Sequence, residues 1–201
     1  MWGLSHKCLC KGGIQLKKII ILILSALMLS GCTDSSEMED QMLSLRSALL
    51  AGDGCGFDAV ITADYGQETY TFAMGCTFDA HGNLSFTVLQ PETIAGIGGT
   101  IDTSGGNLRF DDIALAFPLL ADGHASPISS PWLMYRCLVG GMIQTIGVEK
   151  DLLRATIHDS YSNDALQFDI WLNGENVPIR AELVYENRRI ITLSIENFRI
   201  L

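Results

Sequence analysis

The sequence predicts a single domain of the α+β class that is mainly β, with at least seven antiparallel strands and two helices. Several segments alternate apolar and polar side chains with a period of two, which is the pattern of strands that bury one face. Glycine accounts for 20 of the 201 residues and charged residues for only 18%, which suits a sheet with many turns. Two other segments place apolar residues at helical spacing.

The first segment of the chain has the layout of an export signal. Lys17 and Lys18 precede an apolar run over residues 19–29, which is about half as long as the roughly 20 residues that span a membrane. The tetrapeptide LSGC at 29–32 resembles the lipobox of bacterial lipoproteins. That resemblance implies that Cys32 carries a diacylglycerol, with fatty acids such as palmitate, and that the signal peptide 1–31 is removed. The alternative is a plain secretory signal with a chance cysteine at its cleavage site.

We therefore expect a lipid-anchored protein on the extracytoplasmic side of a cell membrane, with residues 32–36 as a tether and 37–201 as the domain. Two or more acyl chains hold a protein at a bilayer, whereas one chain holds it only reversibly. The leader contains four of the 13 basic residues and no acids, so nine basic residues remain against 23 acidic ones, a net charge of −14. Such a surface repels phosphates, and no nucleic-acid partner is expected.

The first element of the domain is predicted to be a helix. Ser36 and Glu39 have the spacing of a capping box, and Gly52 and Gly54 indicate where the helix ends. Four apolar residues lie at helical spacing between these signals: Met38, Met42, Leu45 and Leu49. The helix therefore has one apolar face.

Two strands follow in CGFDAVITADYGQETYTFAMGC, residues 55–76. A two-residue turn at Tyr65 and Gly66 brings the apolar faces of both strands together. The pairs on that face are then Ile61 with Tyr70, Ala59 with Phe72, Phe57 with Met74 and Cys55 with Cys76. Directly opposed strand residues are within disulfide reach, and exported proteins form such bonds, so a Cys55–Cys76 disulfide is predicted. The alternative is two buried free thiols, with a three-residue loop and a bulge that slips the register by one. Cys137 is expected to be a small core residue.

The alternation continues through the rest of the chain. It predicts strands in NLSFTVLQ, in LRFDDIALAF and in a final meander of ALQFDIWL, PIRAELVY and IITLSIENF. Between them, SSPWLMYRCLVGGMIQTIG predicts a second helix with Ser130 as its cap and Pro131 at its first position. Met134, Leu138 and Met142 are four apart on this helix, whose middle is weakened by two glycines. The inward residues of the meander are expected to be Leu166, Phe168, Ile170 and Leu172, then Ile179, Ala181, Leu183 and Tyr185, then Ile191, Leu193 and Ile195.

These segments, in this order, resemble the LolA/LolB-like lipoprotein-carrier superfamily. The likeness rests on the lipobox, the first helix, the long strands, LQPETIAGIGGTI, the helix that follows SPISSPWLM, and the final run PIRAELVYENRRIITLSIENFRI. The chain is similar in particular to lipid-anchored members from spore-forming bacteria, including germination lipoproteins. The resemblance implies a strongly curved antiparallel sheet, an incomplete barrel, with helices covering a concave apolar face that accepts acyl chains or is filled by the helices.

The resemblance also implies a place for a ligand. The lining residues would be Phe57, Ile61, Tyr70, Phe72, Met74, Phe86 and Val88 on the strands, and Met134 and Leu138 on the second helix. The implied function is non-enzymatic binding of a lipid or of lipoprotein acyl chains. The alternative is a protein-interaction scaffold or cofactor for a cell-wall enzyme, as in germination lipoproteins. An apolar face of this kind is also what an ordinary packed core requires.

No catalytic residue, metal site or cofactor is expected, and the protein is predicted not to be an enzyme. His81, His124 and His158 are far apart in the sequence and lack the spacing of a helical zinc site. No serine lies in a G-x-S-x-G motif. The glycines of GIGGTI lack the following helix that a phosphate-binding loop requires.

Overall fold

The computed structural model describes residues 33–111, 113–121, 124–162 and 165–201. The predicted signal peptide 1–31 and the predicted lipid-attachment residue Cys32 lie outside the described residues. Contacts divide the chain into a segment Met1–Glu37 and a compact unit Met38–Leu201. The sheet and its apolar core belong to the compact unit.

Two α-helices, a short 3₁₀ helix and 13 strands make up the described residues. The helices are α1 (Thr33–Ala51) and α2 (Ser130–Gly140), and the 3₁₀ helix is Pro127–Ser129. The strands are β1 (Gly54–Asp64), β2 (Thr69–Asp79), β3 (Leu84–Gln90), β4 (Gly98–Asp102), β5 (Gly105–Phe110), β6 (Ile113–Phe117), β7 (Leu120–Ala121), β8 (His124–Ala125), β9 (Met142–Glu149), β10 (Leu152–His158), β11 (Gln167–Leu172), β12 (Pro178–Tyr185) and β13 (Arg188–Ile200). Because α1 includes residues 33–36 of the predicted tether, Ser36 lies inside the helix and not at its cap.

Eleven strands form one antiparallel sheet, and β7 and β8 form a separate small hairpin. The order across the large sheet is β6-β5-β4-β3-β2-β1-β13-β12-β11-β10-β9, so two meanders join where β1 pairs with β13. Its edge strands, β6 and β9, do not pair with each other, and the sheet stays open. The predicted fold class is therefore confirmed: a curved antiparallel sheet forms an incomplete barrel, and both helices pack on its apolar face.

The alternation along the strands selects the face that is buried. The predicted inward residues of the final meander are buried at Leu166, Phe168, Ile170, Leu172, Ala181, Leu183, Ile191, Leu193 and Ile195, and Ile179 and Tyr185 are partly buried. The apolar residues of α1 at positions 42, 45 and 49 join the same hydrophobic cluster. Burial of one face of the sheet and one stripe of each helix supplies the main stabilising free energy of such a fold.

The register of β1 and β2 differs by two residues from the predicted one. The strands are joined by residues 65–68 and not by a two-residue turn, so that Phe57 pairs with Cys76 and Cys55 with Phe78. A shift of two leaves every side chain on its predicted face, because the alternation has a period of two. It also makes Cys55 and Cys76 diagonal neighbours, about 7–8 Å apart and beyond disulfide reach. Both are free thiols, and the predicted disulfide is contradicted.

The second helix is shorter than predicted. Its cap is Ser129, one residue before the predicted Ser130, and it ends at Gly140, after which Gly141 has extended backbone angles of φ −72° and ψ 163°. Met142 then begins β9 and does not continue the helix. A Cβ atom at Gly141 would lie 2.6 Å from a side-chain carbon of Ile157, so this close approach to β10 requires glycine.

Candidate functional site

One row of residues crosses the apolar face of the sheet from β1 to β6. Residues paired across neighbouring strands share a face, and the register places in this row Phe57, Cys76, Phe86, Gly99, Leu108 and Leu115. The exposed fraction rises along the row, from 1% at Phe57 and 4% at Phe86 to 61% at Leu115. The face is therefore covered at the β1 end and uncovered at β6.

The predicted lining residues lie mainly in the covered part of this face. Six of them belong to one buried hydrophobic cluster: Phe57, Ile61, Met74, Phe86, Met134 and Leu138. Phe72 is partly buried against that cluster, and Val88 is buried as well. Tyr70 is the exception, because it lies near the β1–β2 turn and is half-exposed. Side chains of both helices and of the strands form this one cluster, so the helices fill the concave face here.

The first half of α2 is held over the sheet by two aromatic contacts. The Trp132 indole Nε1 donates a hydrogen bond to the carbonyl oxygen of Gly82 at 3.0 Å. The ring of Tyr135 stacks on that of Phe78 with the centroids 4.3 Å apart. Because stacked aromatic rings and a satisfied indole N–H both favour the bound position, this end of the helix is well anchored to the β2–β3 hairpin.

The other end of α2 is held by Arg46 of α1. The Arg46 Nε donates to the carbonyl oxygen of Leu138 at 2.7 Å, and its Nη2 donates to those of Gly141 at 2.8 Å and Cys137 at 3.5 Å. A cation at this position compensates the partial negative charge at the C-terminus of a helix. Burial lowers the pKa of Arg46 from its usual value, and the guanidinium remains protonated at neutral pH. Arg46 thus links the two helices that cover the sheet.

An uncovered part of the apolar face lies on the hairpin of β5 and β6. Phe110, Ile113 and Leu115 are exposed by 52%, 70% and 61%, and the register places them on the same face as Phe86. We call these three residues the open stripe. Their segment LRFDDIALAF is predicted as strand, and its alternation indicates which face these residues share, but the predicted lining includes none of them.

A close backbone approach supports this hairpin. Phe117, on the same face as the open stripe, is partly buried against the core. A Cβ atom at Gly106 would lie 2.1 Å from the Phe117 ring, so only glycine leaves room for the ring above β5. The Phe117 ring therefore packs directly on the backbone of β5, beside the open stripe.

The three described thiols lie in the apolar interior. Burial raises the pKa of Cys55 and of Cys137 to about 12, and it raises the pKa of Cys76, with a further contribution from the carboxylate of Asp58. The thiolate is the form that attacks electrophiles and binds metals. These cysteines are therefore unreactive core residues at neutral pH, which confirms the prediction for Cys137 as a buried side chain.

The opposite face of the sheet carries an internally paired polar network. Asp169 and Glu182 are buried and lie opposite each other on β11 and β12. Arg154 forms an ion pair with Asp169 at 2.7 Å, and Arg180 forms one with Glu182. Both guanidinium groups also lie over the ring of Trp171, at 5.2 and 5.0 Å from its centroid. Because the buried acids have cationic partners on neighbouring strands, the network ties those strands together.

The described part of the chain also bears on metal binding and on membrane crossing. No group of three or more histidine, cysteine, aspartate or glutamate side chains there is placed to hold a metal ion. Among the same residues, none of the helices is both long and apolar enough to cross a membrane.

Comparisons with known proteins identify similar solved structures only. No protein-family model and no curated protein matches the chain. A LolA superfamily protein from Nitrosomonas europaea is similar with a TM-score of 0.44 and 9% identity, over 81% of this chain and 93% of that one. The Mycobacterium tuberculosis lipoprotein LppX is similar with a TM-score of 0.41 and 12% identity, over 83% and 96%. LprF from Mycobacterium bovis is similar with a TM-score of 0.40 and 10% identity, over 82% and 93%. Solved structures similar to this chain thus include a LolA superfamily protein and two mycobacterial proteins.

Proposed function

We propose that this chain is a lipid-anchored protein of the bacterial envelope, without enzymatic activity, that binds a lipid or the acyl chains of a lipoprotein on its concave apolar face. The observation that carries the proposal is the row from Phe57 to Leu115, which runs from the covered core to the open stripe on a single face. An acyl chain that settles on the open stripe would therefore touch a continuous apolar surface. Such contact is favourable by about 25 cal/mol for each Å² of apolar surface removed from water.

The open stripe is the place at which a ligand first meets this face. Deeper along the row, Phe57 and Phe86 are already buried in a cluster that includes side chains of both helices. A longer ligand therefore requires α2 to move away from the rings and carbonyl groups that hold it, among them Phe78 and Gly82. A short contact at the open stripe requires no such movement.

The membrane attachment belongs to the same proposal and rests on the sequence LSGC at 29–32. Cys32 is proposed to carry the lipid, residues 1–31 to be a signal peptide, and the domain to lie on the extracytoplasmic side of the cell membrane. Cells fed an alkyne analogue of palmitate should label the natural protein and not the Cys32→Ser variant. A natural protein that stays unlabelled would remove the anchor from the proposal.

Lipid binding is tested with a fluorescent fatty acid and the chain from residue 33 onward. The natural chain should bind the probe, and Ile113→Glu should weaken binding by about tenfold or more, which corresponds to about 1.4 kcal/mol. Val60→Glu on β1 is the control, because Val60 is an exposed apolar residue on the outer face of the sheet, between the buried Ala59 and Ile61. No binding by the natural chain, or equal loss in both variants, would reject the proposal.

A protein-binding role is the second candidate, and the burial of the predicted lining favours it. Phe57, Ile61 and Met74 are fully buried, whereas the open stripe is an apolar surface that remains accessible. A short exposed stripe suits the apolar centre of a protein interface, as a scaffold for a cell-wall enzyme would need. Affinity capture from the host envelope should then recover a stoichiometric protein with the natural chain and lose it with Ile113→Glu. Recovery of the same proteins with both variants would count against this role.

A further inference from the structure

The open sheet has two edges, and they differ in their capacity to pair with another strand. The register of β9 with β10 is irregular near Thr156, and β9 ends in Glu149, which forms an ion pair with Arg154 at 3.2 Å. Bulges and charges of this kind protect an edge strand from further pairing. β6 has neither: its register with β5 is regular over its whole length, and its sequence IALAF contains no charge and no proline.

β6 is also exposed on both of its faces. Ile113 and Leu115 are exposed on the concave face, and Ala114 and Ala116 are exposed on the outer face. Within the described ranges, β6 is the last strand in its direction of the sheet, so its outer backbone edge has no neighbouring strand. A regular, apolar and exposed edge is a template for one more strand.

We propose that this edge pairs with β6 of a second copy of the chain. The two strands are antiparallel, and the twofold axis that relates the copies passes midway between their Leu115 residues. In this register Leu115 lies opposite its own counterpart, Ile113 opposite Phe117, and Ala114 opposite Ala116. All five residues of the strand thus meet apolar partners, and no residue of the strand is left unpaired. Because the twofold axis is perpendicular to the sheet, the open stripes of both copies lie on the same face.

Charge favours this surface for a contact between two copies. The chain has a net charge of −10, so most surfaces of one copy repel the like surfaces of another. β6 is a stretch of sheet edge without any charge. A twofold contact there brings apolar side chains together and adds no repulsion between carboxylates within the strand.

The difference between the edges also favours a closed dimer over a fibre. Pairing of β6 with β9 of the next copy would leave a new β6 edge free each time and would continue without end. The irregular register of β9 and its charged end at Glu149 oppose that arrangement. Pairing of β6 with β6 occupies the apolar edge of each copy. The edges that remain free are the two β9 strands, which are irregular and end in Glu149. The inference goes beyond the proposed function, because it rests on the strand edge and holds whether or not a lipid binds.

Disulfide cross-linking of the full chain in detergent tests the register. Leu115→Cys places two thiols directly opposite each other across the axis, within disulfide reach, so copper phenanthroline should convert most of that variant into a covalent dimer. Val148→Cys on β9 is the matched control and should give no more dimer than the natural chain. Cys55, Cys76 and Cys137 are buried and should not contribute, and Cys8, Cys10 and Cys32 are replaced by serine in every chain that is compared. A disulfide between Leu115→Cys and Val148→Cys chains, or none with Leu115→Cys, would overturn the proposal.

Sedimentation equilibrium in a density-matched detergent provides a second measurement. The natural chain should have twice the monomer mass, and Leu115→Lys should have the monomer mass, because two ammonium groups would face each other across the axis. Val148→Lys should remain dimeric. Leu115 is largely exposed, so the lysine is not expected to unfold the domain, and circular dichroism would check this. A monomeric natural chain, or a Leu115→Lys variant that stays dimeric, would contradict the proposal.

Discussion

Replacement of Arg46 by methionine is expected to loosen α2 and lower the free energy of unfolding. Methionine keeps most of the aliphatic stem and removes the donors that lie 2.7 Å from the Leu138 oxygen and 2.8 Å from the Gly141 oxygen. A hydrogen bond from a charged donor contributes about 1.5–3 kcal/mol. Because Arg46 is only half-buried and the freed carbonyl groups regain water, we expect a total loss of about 2–3 kcal/mol and not the full sum. That loss corresponds to a fall in Tm of roughly 5–10 °C for a domain of this size.

Urea unfolding followed by circular dichroism measures this change, with Arg199→Met as the control. Arg199 is exposed and its contact with the Asn197 oxygen is long, at 3.4 Å, so the control should change the free energy of unfolding by less than about 0.5 kcal/mol. Hydrogen exchange should also quicken in Arg46→Met at the last amides of α2, since the helix end loses its cap. Arg46→Lys, which keeps the charge but not the planar fork, should fall between the two. If Arg46→Met and Arg199→Met have equal stabilities, the link between the helices contributes nothing and the reasoning is refuted.

Three further predictions test the packing. Gly106→Ala should lower Tm, because its Cβ would lie 2.1 Å from the Phe117 ring, whereas Gly147→Ala, with no heavy atom within 4 Å of the added Cβ, should have little effect; thermal unfolding compares them, and equal shifts would contradict the close approach. Met74→Asp should destabilise the fold by more than about 3 kcal/mol because it buries a carboxylate without a partner, and a variant with unchanged urea stability would show that Met74 is not in the core. The contribution of Cys137 to stability should be constant below about pH 9 and should fall as the pH rises toward 12, because an unfolded thiol ionises near 9.0 while burial raises the pKa of Cys137 to about 12 and keeps its proton on in the folded state. Cys137→Ala should reduce this slope in urea titrations at pH 8 and pH 10, and an unchanged slope would disprove the assignment.

The buried residues were predictable because the pattern that selects them is local. Phe57, Met74 and Phe86 were identified from alternation alone and are buried. The same holds for the apolar face of α1 and for the final meander. Burial of one face of a strand or helix requires apolar residues at a fixed spacing, and that spacing is visible in the sequence whatever the face packs against.

The errors of prediction concern features that alternation does not constrain. A shift of two residues between β1 and β2 keeps every side chain on its face, so the pattern was compatible with both registers and the predicted Cys55–Cys76 bond followed from the wrong one. Likewise, Met142 fits a helical spacing of four after Leu138, yet the glycine at 141 ends α2 and the chain pairs with β10. The apolar spacing thus predicts a longer helix, whereas pairing with β10 places Met142 in β9.

The sequence alone determines the mainly β class, the number of covering helices, the inward faces of the strands and the LSGC motif. These features can be recognised because periodicity and short motifs are properties of neighbouring residues. Only the folded structure shows the strand register, the state of the thiols and the hydrogen bonds from Arg46 to the end of α2. It also shows that Phe57 is packed whereas Leu115 is exposed. Each of these depends on distances between residues that are far apart in the sequence. The packing of the two helices decides how much of the sheet they cover, and the sequence of β6 does not show where that cover ends.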